Sequence, residues 1–140
     1  MVKAGTFLVS TTALADYLDV SKAAPSVQAK AAEMFPRART AVKAAADAGV
    51  KVAVGTDAPA IPHGKNANEL VALVSRGLTP AQALRAATVT GADVIGVSDR
   101  GRLAPGLLAD IIGVPGNPLT DISVTQNVKF VMKGGKVFDR

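Results

Sequence analysis

The chain has 140 residues, of which 49% are hydrophobic and 19% are charged, a composition that suits one compact domain. It has no cysteine and one histidine, so by itself it forms no disulfide, no thiolate zinc site and no multi-histidine centre. Its apolar runs are too short to span a bilayer, and Asp16 interrupts any signal-peptide core. We therefore expect a cytoplasmic protein without a membrane partner. The net charge of +5 is spread along the chain, which argues against a nucleic-acid partner.

The first part of the chain is predicted to fold as strand, helix and strand. Residues 6–10 and 50–55 are short apolar segments that suit buried strands. Residues 26–48 form a helix that Gly49 ends, and Pro36 predicts either two helical pieces or one kinked helix. The predicted apolar stripe of this helix consists of Val27, Ala31, Met34, Ala38, Val42 and Ala45. This order predicts a βαβ unit with parallel strands.

Two helix start signals follow. Asn66 and Glu69 have the spacing of a capping box, which predicts a short helix that stops near Gly77. Thr79, Pro80 and Gln82 form a second capping box, which predicts a helix from residue 80 to about residue 95 with an interruption near residues 88–91. An alternative interpretation of residues 67–97 is a helix-turn-helix, but residues 88–94 contain no basic side chain to reach a nucleic acid.

Glycine and proline become frequent after Gly96, and the pattern changes to short β-type segments. Residues 110–114 and 128–132 suit strands, and Gly134 with Gly135 predicts a two-residue hairpin. We expect this part to be built from β-strands.

The loop after the second strand contains the candidate functional residues. Asp57 follows that strand directly, at the end where parallel α/β folds place their chemistry. Its carboxylate could bind a metal ion or act as general base on a water molecule, or it could simply cap a turn. His63, in the same loop, could contact substrate or transfer a proton, or it could be a solvated loop histidine.

The ordered set of GTDAP at 55–59, PHG at 62–64, GLTPAQALRAAT at 77–88, GRLAPGLLADI at 101–111 and VKFVMKGGKVF at 128–138 resembles the metal-dependent amidohydrolase superfamily. The chain is most similar to its imidazolonepropionase-like and Xaa-Pro dipeptidase-like branch. The resemblance implies an α/β fold: residues 1–97 are the last two βα units of a (β/α)₈ TIM-type barrel, and residues 98–140 belong to a small β-sandwich. It implies a divalent metal, usually zinc, in the full-length parent.

The resemblance further implies hydrolysis of an amide, peptide or cyclic C–N bond in a small-molecule or peptide substrate by metal-activated water. Asp57 is then a metal ligand and the catalytic base, and His63 is a substrate-binding residue. The family's other metal ligands have no counterpart in this sequence, and one carboxylate does not hold zinc. We therefore expect a fragment that is inactive as an isolated chain, binds no metal stably by itself and forms a homo-oligomer. The alternatives are a non-catalytic α/β module that forms a homo-oligomer and, with less support, a helix-turn-helix nucleic-acid binder.

Overall fold

The computed structural model describes residues 1–139 of the chain as a mixed α/β fold. Its first half contains strand β1 (Phe7–Ser10), helices α1 (Leu14–Tyr17) and α2 (Pro25–Asp47) and strand β2 (Lys51–Val54). Its second half contains helices α3 (Asn68–Ser75), α4 (Pro80–Ala87) and α5 (Val89–Val94), then strands β3 (Ile111–Gly113), β4 (Phe130–Lys133) and β5 (Lys136–Phe138). Short 3₁₀ helices lie at Val2–Ala4 and Ile122–Gln126.

Strands β1 and β2 form a parallel two-stranded sheet, which confirms the predicted βαβ unit. Phe7 pairs with Lys51 and Ser10 pairs with Val54, so the two strands end together. Helix α2 connects them, as the sequence pattern predicts. The segments that follow β1 and β2 therefore leave the sheet at the same edge.

Helix α2 runs through Pro36 as one helix of 23 residues. Only Ala31 and Val42 of its predicted apolar stripe are buried, whereas Val27 and Met34 are 49% and 47% exposed. The predicted apolar stripe is therefore buried only in part. A helix of this length extends over about 34 Å, whereas a four-residue strand extends over about 13 Å, so the strand pair covers only part of the helix.

The main core lies between the sheet and the helices. It joins Val42 of α2 and Val52 of β2 to buried side chains of α3 and α4, with Leu73 and Ala83 fully buried. Ile122, from the later part of the chain, joins the same core. Helices α4 and α5 both contact β2, so they pack on the parallel sheet.

The two predicted capping boxes have different outcomes. Thr79 accepts a hydrogen bond from the Gln82 backbone N–H, and the Gln82 side chain accepts one from the Thr79 backbone N–H, which confirms the second box. The first is wrong: α3 begins at Asn68 without a side-chain cap, and the Glu69 carboxylate binds elsewhere. The predicted interruption near residue 88 is confirmed by the boundary between α4 and α5.

Strands β3, β4 and β5 form an antiparallel sheet in that order. Gly134 and Gly135 join β4 to β5 with φ of 55° and 79°, the left-handed backbone that the predicted hairpin requires. The predicted boundary at residues 97 and 98 falls between α5 and β3 and stays a prediction. Among the described helices, none has the length and apolar character that crossing a membrane requires.

Candidate functional site

The loop that contains Asp57 starts with a close backbone approach at Gly55. The Gly55 N–H donates a 2.7 Å hydrogen bond to the Ser10 carbonyl, which extends the pairing of β1 and β2 by one step. A Cβ atom at Gly55 would lie 2.9 Å from Val9 Cγ1 and 3.3 Å from the Ser10 carbonyl oxygen. Glycine is therefore the residue that allows the two strand ends to meet here.

Asp57 lies three residues beyond the end of β2 and is exposed. Its φ of 54° makes it the one non-glycine residue with positive φ in the described part of the chain. Aspartate tolerates this left-handed backbone better than most residues, and such conformations concentrate at functional sites. The described residues give the Asp57 carboxylate no hydrogen bond or ion pair, so its oxygens are free to accept a proton or bind a cation.

His63 is also exposed and lines a cleft of about 420 Å³ at the carboxyl end of β2. Thr56 and Ala58 line the same cleft, so His63 returns to the strand end that Asp57 follows. The Asp57 side chain lies beside the cleft rather than in its lining. The structure thus places both predicted residues on one loop at one edge of the sheet, and their roles stay predictions.

One buried apolar side chain fixes this loop between Asp57 and His63. Ile61 is 1% exposed and packs with Ala13, in the segment after β1, and with Ala72 of α3. An exposed loop with a buried isoleucine has a defined path, because releasing that side chain would expose apolar surface. The position of His63, two residues later, therefore depends on this contact.

Glu69 has a role in this region that its predicted place in a capping box does not indicate. It is fully buried, and its carboxylate accepts hydrogen bonds from Ser10 Oγ at 2.6 Å, Thr12 N–H at 2.9 Å and Ala13 N–H at 2.7 Å. The available signal was its helical spacing: Glu69 precedes Ala72 and Leu73 by three and four residues, so it shares their buried face.

Arg76 holds residues 12–16, which follow β1, through hydrogen bonds to Thr12 and Asp16. Its guanidinium donates to the Thr12 side chain and carbonyl and to Asp16 Oδ2, the last at 2.6 Å. Arg39 of α2 donates to the other Asp16 oxygen at 3.1 Å. Burial pulls the pKa of Asp16 upwards, but the hydrogen bonds and charges of Arg76 and Arg39 outweigh it and hold that pKa below its ordinary value.

Within residues 1–139, no three histidine, cysteine, aspartate or glutamate side chains come together in a way that could hold a metal ion. Asp57 offers one carboxylate, and the Glu69 carboxylate is already occupied by three donors. Zinc sites take three or more protein ligands, so the residues present do not form one by themselves.

The chain is similar to known hydrolases over nearly its whole length. The sequence model described as "Amidohydrolase family" matches residues 1–138. Ochratoxinase from Aspergillus niger is 42% identical over 104 residues, which are 70% of this chain and 21% of the relative. Imidazolonepropionase from Deinococcus deserti is 43% identical over 82 residues, or 56% of this chain and 21% of the relative.

A solved structure shows the same fold. The crystal structure of a Xaa-Pro dipeptidase with methionine bound in its active site superposes with a TM-score of 0.91 at 35% identity. That match covers 100% of this chain and 36% of the dipeptidase. The chain thus spans about a fifth of the curated relatives and about a third of this structure. Together, the family match, the sequence identities and the superposition show that this chain belongs to the amidohydrolase family.

Proposed function

We propose that this chain forms the last part of the active site of a hydrolase that acts on C–N bonds. In this proposal β1 and β2 are the last two strands of a (β/α)₈ barrel, and residues 98–140 belong to a small β-sandwich. The parallel register of β1 and β2 and the superposition on the dipeptidase support the assignment. The observation on which it chiefly rests is the free Asp57 carboxylate, held in left-handed backbone beyond a parallel strand.

The proposed substrate contains an amide, peptide or cyclic C–N bond in a small molecule or peptide. Asp57 takes a proton from water as the water oxygen bonds to the carbonyl carbon, and it gives that proton to the nitrogen as the C–N bond breaks. His63 contacts the substrate from the cleft wall. We also propose a divalent cation, zinc by resemblance, for which Asp57 supplies one ligand and residues outside this chain supply the others. The isolated chain should then be inactive.

Replacing a segment in a relative tests this proposal. The matching third of the Xaa-Pro dipeptidase would be exchanged for this chain, and hydrolysis of an Xaa-Pro dipeptide would be measured. We expect activity in the hybrid and a loss of at least about a hundredfold in kcat in its Asp57→Asn variant, because the amide cannot accept the proton.

Asp93→Asn is the matched control for this test. Asp93 is also exposed, but it shares a cleft with Lys51 at the opposite, amino end of β2. This variant should keep the activity of the hybrid. Equal activity of the Asp57 and Asp93 variants in a folded hybrid would refute the role of Asp57.

A second candidate function is a self-associating α/β module without catalysis. In the described chain each strand of the β1–β2 sheet has one partner, so each has an open edge. Val9, on β1, is 49% exposed. Open edges and apolar faces of this kind favour pairing with another chain.

A further inference from the structure

Glu69 is the one charged side chain that is fully buried in the described part of the chain. Its three hydrogen-bond donors all come from residues 10–13, the end of β1 and the turn that follows it. Two of these donors are backbone N–H groups, so the carboxylate holds the path of the main chain and not only a side chain. Three hydrogen bonds to one buried side chain restrict the movement of residues 10–13.

Residues 10–13 contact the candidate site loop at two separate places. The Ser10 carbonyl accepts from the Gly55 N–H at 2.7 Å, two residues before Asp57. Ala13 packs against Ile61, two residues before His63. The segment that Glu69 holds therefore touches both the Asp57 end and the His63 end of the loop.

We propose that Glu69 is a positioning residue: through residues 10–13 it fixes both ends of the loop 55–64 at the carboxyl edge of the sheet. The proposal rests on the proposed function, because positioning matters to the reaction only if Asp57 and His63 take part in it. Glu69 itself lies away from solvent, and its hydrogen bonds go to residues 10–13.

Glu69→Gln in the full chain is the most direct test. Glutamine keeps the volume but replaces one acceptor oxygen with a donor, so one backbone N–H of residues 10–13 would face another donor. Glu33→Gln is the matched control, because Glu33 is an exposed glutamate paired only with Arg37 on the surface of α2.

Two measurements report on the loop without requiring activity. His63 is the only histidine of the chain, so its imidazole NMR signals are a unique probe of the loop. Amide hydrogen exchange reports the opening of residues 10–13 and 57–64 relative to the core helices. We expect Glu69→Gln to shift or broaden the His63 signals and to speed exchange in both segments by about tenfold or more. Glu33→Gln should change neither.

The outcomes separate positioning from general stabilisation. Unchanged His63 signals and exchange that rises equally throughout the chain would make Glu69 merely structural and overturn the proposal. If Glu69→Gln does not fold, Ser10→Ala decides, since it removes one donor and leaves the carboxylate two. A local effect on the loop supports the proposal, and a uniform or absent effect overturns it. Full activity of the Asp57→Asn hybrid would refute the proposed function. It would not change the result of these loop measurements, so the two failures are distinguishable.

Discussion

At the scale of single residues, the site depends on the missing side chain of Gly55 and on the buried side chain of Glu69. Gly55 lets two strand ends approach, and the next residues then turn outward at Asp57. Asp57 and His63 could be chosen from the sequence because each stands in a loop after a predictable strand. The role of Glu69 could not, because its partners lie 56 to 59 residues earlier and only the tertiary fold brings them near.

Gly55→Ala should destabilise the chain by about 1–3 kcal/mol, because the new methyl group would overlap Val9 and crowd the Ser10 carbonyl. Gly91→Ala is the control. A Cβ at Gly91 meets only the Ala86 carbonyl at an ordinary 3.5 Å, within helix α5. That variant should stabilise by about 0.5–1 kcal/mol. Urea unfolding measures both changes, and a neutral Gly55→Ala would show that the strand ends are free to separate.

At the scale of elements, local signals predicted most boundaries. The Thr79 capping box, the Gly134–Gly135 hairpin and the two parallel strands were all readable from neighbouring residues. The capping box at Asn66 failed because the Glu69 side chain accepts three hydrogen bonds from residues 10–13, whereas a capping box would supply one backbone donor. The pattern did not show which residues of the α2 stripe are buried, because periodicity does not reveal where a partner surface exists.

The ion pairs of Asp16 join three elements, since Arg76 follows α3, Arg39 lies in α2 and Asp16 lies in α1. Because the folded-state pKa of Asp16 is lowered, its contribution to stability is present above the unfolded-state pKa, about 3.9. That contribution is lost as the pH falls through the folded-state value. Protonation of Asp16 should therefore be one cause of unfolding in acid.

Asp16→Asn should lower the urea midpoint at pH 7, and the curves of variant and wild type should converge below the folded-state pKa of Asp16. The midpoints would be measured at intervals between about pH 2.5 and pH 7, a range that brackets the carboxyl titration. Asp93→Asn, at an exposed position without an ion pair, serves as control and should follow the wild type throughout. A difference between Asp16→Asn and wild type that stays constant with pH would contradict the electrostatic origin.

At the scale of the whole molecule, the described chain leaves apolar surface exposed on the parallel sheet and on α2. Val9 is half exposed on β1, and Val27 and Met34 are half exposed on α2. Sequence patterns mark these residues as apolar but do not say what covers them, because that depends on surfaces beyond the elements themselves. This is why the elements and the loop could be predicted and the oligomeric state could not.

We expect the purified chain to self-associate through the open β1–β2 sheet. Light scattering across a dilution series should give a mass above the 14.2 kDa of one chain, and the mass should fall on dilution. Val9→Lys would place a charge on the exposed sheet face and should weaken association by at least about tenfold, since inward or edge charges discourage strand pairing. Val2→Lys is the control, because Val2 is 54% exposed but lies outside the sheet. A monomeric mass at every concentration would show that this sheet does not pair with a second copy.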